Sequence, residues 1–195
     1  MKRFLFRIRN ILVRPGQEWR VIGQEQTSAG NLVKPYALIM AALPPFAALA
    51  ERVVLGRNVV RRQPLTLVLA TNVVWYLVIL ANVAIAASVF TVIIRSGQRR
   101  LLNLQGLQFA TYSFTPLFLA SVVLTMAPAI SWLIYAAILY SFSLLYVGIR
   151  VTTGEGQRAA AWHAFASCIV AGLLVGSLNA IEYMAESFIA SKVFY

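Results

Sequence analysis

Three long stretches of the chain contain no Asp, Glu, Lys or Arg, and the charged residues lie before, between and after them. The uncharged stretches are residues 63–94, 101–149 and 159–181. A helix needs roughly 20 apolar residues to cross the apolar core of a bilayer, so each stretch is long enough to span a membrane. The pattern predicts an all-α, polytopic transmembrane bundle and argues against a water-soluble domain.

The number of spans follows from the length of these stretches. Residues 101–149 are 49 residues long, and a single helix of that length would extend roughly 73 Å, against an apolar core of roughly 30 Å. This stretch must therefore contain two spans, with the turn at Pro128 because proline interrupts a helix. We expect five transmembrane helices, at about residues 35–55, within 65–94, and at about 106–125, 129–149 and 159–185.

Prolines inside two spans predict departures from a straight helix. Pro44 and Pro45 lie near the middle of the first span and each removes a backbone donor, so this helix is expected to be kinked or partly re-entrant. In the third span, Thr115 and Pro116 predict a kink or a hinge, because Pro116 cannot donate to the carbonyl group of Tyr112. A static kink is favoured there, and a binding niche remains the alternative.

An amphipathic helix is predicted ahead of the first span. Apolar residues at positions 4, 5, 8, 11 and 12 follow helical spacing among basic residues, as in helices that lie in the membrane interface. Pro15 and Gly16 end this helix, and Trp19 is expected at the headgroup level. We divide the chain into a cytoplasmic N-terminal region, residues 1–31, and a transmembrane domain, residues 32–195. The predicted lipid-headgroup contacts are Lys2, Arg3, Arg7, Arg9 and Arg14.

Composition agrees with a membrane protein and indicates its partner. Hydrophobic residues make up 60% of the chain, and 17 Lys and Arg against 6 acidic residues give a net charge of +11. Because the basic residues lie at the ends of spans, anionic lipid headgroups match them better than nucleic acid does. Twelve Lys and Arg (7, 3 and 2 in successive segments) fall on the N-terminal side and five (4 and 1) on the other. The positive-inside rule therefore predicts a cytoplasmic N-terminus.

The fifth span carries small residues at strict four-residue intervals. Such stripes let helix backbones approach closely in lipid, so we interpret this one as a helix-packing face. Its partner is open between another span of the chain, a second copy and another membrane protein. The stripe consists of Ala160, Ala164, Cys168, Gly172, Gly176 and Ala180.

Polar residues within spans are candidates for function, since they are costly in lipid unless they have partners or line water. Asn72 and Asn82 in the second span are the clearest. Hydrogen bonding between helices is the favoured interpretation. The alternative is a small-solute or ion path that passes these residues and Pro116.

The sequence offers little to an enzyme. It contains one histidine, His163, one cysteine, Cys168, and no aspartate. Hydrolase triads, metalloprotease helices and phosphate-binding loops need residue sets that are not present. Glu182 and Glu186 share a helix face, which we interpret as a solvated helix end. We therefore predict no reaction, no cofactor and no metal site.

Four stretches together resemble a known family. They are Arg14–Glu18 with Val21, Ile22 and Glu25, then Leu38–Pro45, Tyr112–Leu119 and Leu144–Ile149. In order and spacing they are similar to the bacterial branch of the Yip domain family, whose eukaryotic members interact with Rab GTPases. The resemblance implies five transmembrane helices and a bacterial inner-membrane location. The positive-inside count, with a cytoplasmic N-terminus, places the C-terminus in the periplasm. It implies no reaction, and the expected role is to organise membrane or to contact proteins or lipids.

Overall fold

The computed structural model describes residues 2–24, 29–54, 65–95 and 105–173, and nearly all of them are helical. Four stretches are long and apolar enough to cross a membrane, namely Val33–Glu51, Val68–Ile94, Gln105–Met126 and Leu133–Thr153. The helices are α1 (Lys2–Val13), α2 (Pro15–Gln24), α3 (Ala29–Val54), α4 (Leu65–Arg95), α5 (Gln105–Ser113), α6 (Thr115–Met126), α7 (Leu133–Thr153) and α8 (residues 157–173).

The fifth predicted span is described only in part. Residues 157–173 form a helix that follows α7 after a turn at Gly154, which has a φ of 69°. Gly176, Ala180, Glu182 and Glu186 lie outside the described residues. Within the described residues there are therefore four candidate spans, and the count of five stays a prediction.

The first span is one helix despite its prolines. α3 runs for 26 residues with Pro35, Pro44 and Pro45 inside it, so the expectation that this span is partly re-entrant does not hold. Pro44 and Pro45 are buried against the bundle. Neighbouring helices can compensate for the missing donors of proline in a transmembrane helix, and the kink remains a prediction.

The third and fourth spans meet as predicted. α6 ends at Met126, Pro128–Ile130 forms a short 3-10 turn, and α7 begins at Leu133. The third span is divided at Phe114 into α5 and α6, two residues before Pro116. The amide of Phe114 still donates to the carbonyl oxygen of Ala110 at 3.0 Å, so the interruption is short and the two parts cross the bundle together.

α5 lies at the centre of the bundle. It packs against α3, α4 and α7, while α6 packs against α3 and α7. At Gly106, an added Cβ would lie 2.3 Å from the carbonyl oxygen of Ala87 in α4. Because lipid tails are as apolar as leucine, close contact of this kind contributes more to helix association in a membrane than the burial of apolar surface does.

Large apolar side chains lie on the outside of the bundle, as is typical of a membrane protein. Val73 and Leu77 on α4, Leu139 on α7 and Leu173 on α8 are all exposed on the protein surface. In water such surfaces would promote aggregation, whereas in a bilayer they face lipid tails. Several of the buried polar and aromatic side chains lie on α5 instead, among them Phe109, Thr111, Tyr112 and Ser113.

Candidate functional site at the N-terminal helices

The N-terminal chain changes direction at Arg14, and this turn builds the site. Arg14 alone separates α1 from α2, because Pro15 has no backbone N–H with which to continue α1. The side chains of Arg7 and Glu18 are in direct contact, although a straight helix would hold positions separated by 11 residues (18 minus 7) roughly 16 Å apart. The two helices are therefore folded towards each other, and we call them the N-terminal helix pair.

A buried ion pair joins the two helices. Nη1 of Arg7 lies 2.9 Å from Oε1 of Glu18, and the two side chains are 14% and 9% exposed. Nδ2 of Asn10 donates to Oε2 of Glu18 at 3.0 Å, so both carboxylate oxygens have a partner. The guanidinium of Arg7 also lies 5.7 Å from the ring centroid of Tyr112, within the range of cation–π attraction. These contacts attach the helix pair to α5.

Trp19 packs the helix pair against α5 and α7. It is fully buried, with its ring centroid 5.5 Å from that of Phe109 and 6.0 Å from that of Tyr112. It also lies on Gly148, where an added Cβ would come within 2.7 Å of the indole ring. Trp19 therefore packs inside the protein, because the indole fills a space that glycine leaves open between the helices, and its expected headgroup level stays a prediction.

Tyr36 connects α3 to the same group of side chains. Its ring centroid lies 4.8 Å from that of Tyr112 and 5.1 Å from that of Phe4. Its hydroxyl is 2.9 Å from Oγ1 of Thr115, and Thr115 donates its own proton to the carbonyl oxygen of Thr111 at 3.4 Å. Tyr36 is therefore the donor in the first bond. We call Trp19, Tyr36, Phe109 and Tyr112 the aromatic cluster.

Some polar atoms around the aromatic cluster have no hydrogen-bond partner within the described part of the chain. They are Nε1 of Trp19 and the hydroxyl oxygens of Thr111 and Ser113, all of which are buried. Buried polar groups are usually paired. The indole N–H of Trp19 can therefore still donate a hydrogen bond, and the two hydroxyl groups can still form one each.

The residues predicted to contact lipid headgroups are divided between the inside and the outside of the protein. Arg7 is buried in the ion pair, which differs from the predicted headgroup contact because Glu18 approaches it across the turn at Arg14. Arg9 and Arg14 are exposed and remain available to lipid. The side chains of Lys2 and Arg3 lie outside the described residues.

The small-residue stripe faces the bundle at one end only. Ala160 and Ala164 are fully buried, Cys168 is half-buried, and Gly172 is exposed with nothing within 4 Å of an added Cβ. Since an α-helix has 3.6 residues per turn, a stripe at four-residue intervals drifts roughly 40° per step around the helix. The buried face of α8 continues instead through Ser167 and Ala171.

The intramembrane asparagines do not point to a transport path. Nδ2 of Asn72 donates to the carbonyl oxygen of Val68 on its own helix at 2.7 Å, and Asn82 is half-buried on α4. Pro116, the third member of the predicted path, is buried in the packed centre of the bundle. The described residues therefore give no support to the transporter alternative.

The site contains one ion pair, several hydroxyl groups and four aromatic rings, a set suited to packing and recognition. Within the described ranges, no group of three or more His, Cys, Asp or Glu side chains could hold a metal ion. The sequence did not single out Tyr36 or Phe109, and Tyr112 and Gly148 were noted only within longer stretches and not as members of a site. The available signal was Gly148 itself, a single glycine among the large apolar residues that close the fourth span.

Four spanning helices with lipid-facing apolar surfaces define a polytopic α-helical membrane protein. The sequence model of the Yip1 domain matches residues 9–178, which include most of the helix pair and the four spans. The chain belongs to the Yip1 domain family.

Two curated relatives are similar over most of their length. Inner membrane protein YohC of Escherichia coli strain K12 is 32% identical over 143 residues, which cover 69% of this chain and 72% of that protein. Inner membrane protein YohC of Escherichia coli O6:H1 strain CFT073 matches with the same identity and coverage. No solved structure matches the chain significantly.

Proposed function

We propose that this protein is a non-enzymatic, multi-pass protein of the bacterial inner membrane that contacts membrane lipids through its N-terminal helix pair. One observation carries this proposal: the helix pair is firmly attached to the bundle, and two of its arginines are exposed. Arg9 and Arg14 are exposed while Arg7 binds Glu18 inside. The internal pair fixes the helices, and the external arginines are available to anionic headgroups.

The proposed orientation places the helix pair on the cytoplasmic side. The basic segments at the ends of the spans support this arrangement through the positive-inside rule, which would leave the C-terminus in the periplasm. The inner-membrane location is supported by the relatives of that name in Escherichia coli. The cytoplasmic leaflet carries the anionic lipids that attract basic residues.

The helix-packing role of α8 is a second part of the proposal. Ala160 and Ala164 pack within the chain, whereas Gly172 is exposed. We propose that the outward part of the stripe, with Gly176 and Ala180, packs against a second copy or another membrane protein. The N-terminal region 1–31 and the transmembrane domain 32–195 would act as one unit, since Trp19 belongs to the core of the bundle.

The proposal is tested by purifying the protein in a mild detergent and identifying the lipids and proteins that accompany it. Anionic phospholipids are expected to be enriched over their share of the membrane. The double substitution Arg9→Gln/Arg14→Gln should reduce this enrichment, and the matched substitution Arg158→Gln, an exposed arginine at the start of α8, should reduce it less. Equal lipid profiles for all three proteins would contradict the proposal.

A further inference from the structure

α2 lies beside the last part of α7 in a regular register. Trp19 lies on Gly148 and Gly23 faces Thr152, and near the end of α1 the carbonyl oxygen of Leu12 accepts a hydrogen bond from the hydroxyl of Tyr140. The two contacts of α2 are both separated by 129 positions (148 minus 19 and 152 minus 23), and the contact at the end of α1 is separated by 128 (140 minus 12). A constant separation means that α2 runs parallel to α7 and that each residue of α2 has a known level along that span.

This register places Arg14 deep along the span. Position 14 falls beside position 143 of α7, and Arg20 falls beside position 149. Arg150 is the exposed basic residue at the end of α7, where the headgroup region is expected. At a rise of roughly 1.5 Å per residue, Arg14 therefore lies roughly 10 Å further into the span than Arg150 does, whereas Arg20 lies at almost the same level.

Arg14 is exposed at this depth, and the described acidic groups on this side of the bundle are engaged elsewhere. Glu18 binds Arg7 and Asn10, and Oε2 of Glu155 lies 2.8 Å from Nδ1 of His163. A charged arginine without an anion is costly within the apolar core, and a cell membrane relieves this cost by local thinning and by snorkelling of the side chain. The anion within reach from the lipid side is a phosphate group.

We propose that Arg14 binds the phosphate of a membrane lipid below the ordinary headgroup plane, so that the leaflet is thinner beside the N-terminal helix pair. This inference rests on the proposed lipid contact and adds the depth in the membrane at which that contact is made. Leu5, Phe6 and Val13 on α1 are exposed apolar residues that lie close in sequence to Arg9 and Arg14, and their side chains suit acyl chains. The internal ion pair thus holds the helix pair against the bundle. On the lipid-facing side, Arg14 draws a phosphate group towards the middle of the membrane.

The test is a solid-state NMR measurement on the full chain with isotope-labelled arginine. The protein is reconstituted in vesicles of equal parts phosphatidylethanolamine and phosphatidylglycerol, in a buffer without free phosphate. Dipolar dephasing between the guanidinium carbon and lipid phosphorus reports direct contact. Broadening by a lipid that carries a nitroxide high on its acyl chain reports depth. Difference spectra against Arg14→Gln and Arg20→Gln assign the two signals, and Arg14→Lys serves for assignment if Arg14→Gln does not fold.

Arg14 is expected to show dephasing by phosphorus together with stronger nitroxide broadening than Arg20. Contact of both arginines with phosphorus at equal broadening would overturn the inference and leave the proposed lipid contact standing. Absence of phosphorus contact at Arg14 with contact at Arg20 would overturn it as well. Absence of contact at both positions would contradict the inference and the proposed function alike. Dephasing that appears only after free phosphate is added would assign the site to a soluble anion and overturn the lipid proposal.

Discussion

The buried ion pair between Arg7 and Glu18 makes a specific prediction about stability. The two side chains are 14% and 9% exposed, so a charge left alone at this position would be poorly solvated. Removing one partner of a buried pair typically costs roughly 3–5 kcal/mol, most of it from the uncompensated charge that remains. We expect Arg7→Met to lower the free energy of unfolding by about that amount.

The double substitution Arg7→Met/Glu18→Leu should be less harmful than Arg7→Met alone. It removes both charges, and apolar replacements of similar volume are often neutral at buried ion pairs. The remaining cost arises because Asn10 loses the carboxylate to which it donates, a loss of about 1–3 kcal/mol for a buried donor. The variant that carries two changes is therefore predicted to be the more stable one.

Reversible unfolding by sodium dodecyl sulfate in mixed micelles, followed by tryptophan fluorescence, measures these differences. Arg9→Met is the matched control, since Arg9 lies on the same helix and is exposed, and its effect should stay within about 0.5 kcal/mol. The predicted role of the ion pair is refuted if Arg7→Met and Arg9→Met shift the unfolding midpoint equally. It is also refuted if the effects of Arg7→Met and Glu18→Leu simply add in the double variant.

Two further predictions concern the aromatic cluster. Gly148→Ala places a Cβ about 2.7 Å from the ring of Trp19 and should destabilise the protein by about 1–3 kcal/mol through overpacking, with a red shift of tryptophan emission. Gly156→Ala, where nothing lies within 4 Å, should leave that emission unchanged, and an equal shift would contradict the prediction. Tyr36→Phe removes the hydrogen bond to Thr115 and should cost about 1 kcal/mol in the same unfolding assay, whereas no measurable loss would argue against that bond.

The spans were predictable because their signals are local. The uncharged stretches of membrane length and the proline at 128 can be read from consecutive residues. Tertiary contacts hardly alter these signals. The continuity of α3 was harder to predict, since it depends on how Pro44 and Pro45 pack against other helices. The last part of the fifth span has only the sequence to support it.

The site was less predictable because its contacts cross a turn. Arg7 and Arg9 are both basic and two positions apart, and only the approach of Glu18 separates their roles. The sequence did contain a signal for the inward position of Arg7, since Arg7 shares a helix face with Phe4 and Ile11. The side chains of these two residues are also at least partly buried. The burial of Trp19 could not be derived in this way, because it needs a gap at Gly148 on a helix far along the chain.

The most direct test of the account is whether the N-terminal helix pair lies in register beside α7. In a background of Cys168→Ser, the substitutions Gly23→Cys and Thr152→Cys should form an intramolecular disulfide on mild oxidation in membranes, because an added Cβ at 23 lies 3.9 Å from Cβ of Thr152, close to the mean separation in disulfides. The pair Val21→Cys and Thr152→Cys, with Val21 exposed on the helix surface, should keep its thiols. Counting free thiols with a maleimide mass tag distinguishes the outcomes. Loss of both thiols in the first pair alone is predicted, and equal retention in both pairs would contradict the docked arrangement.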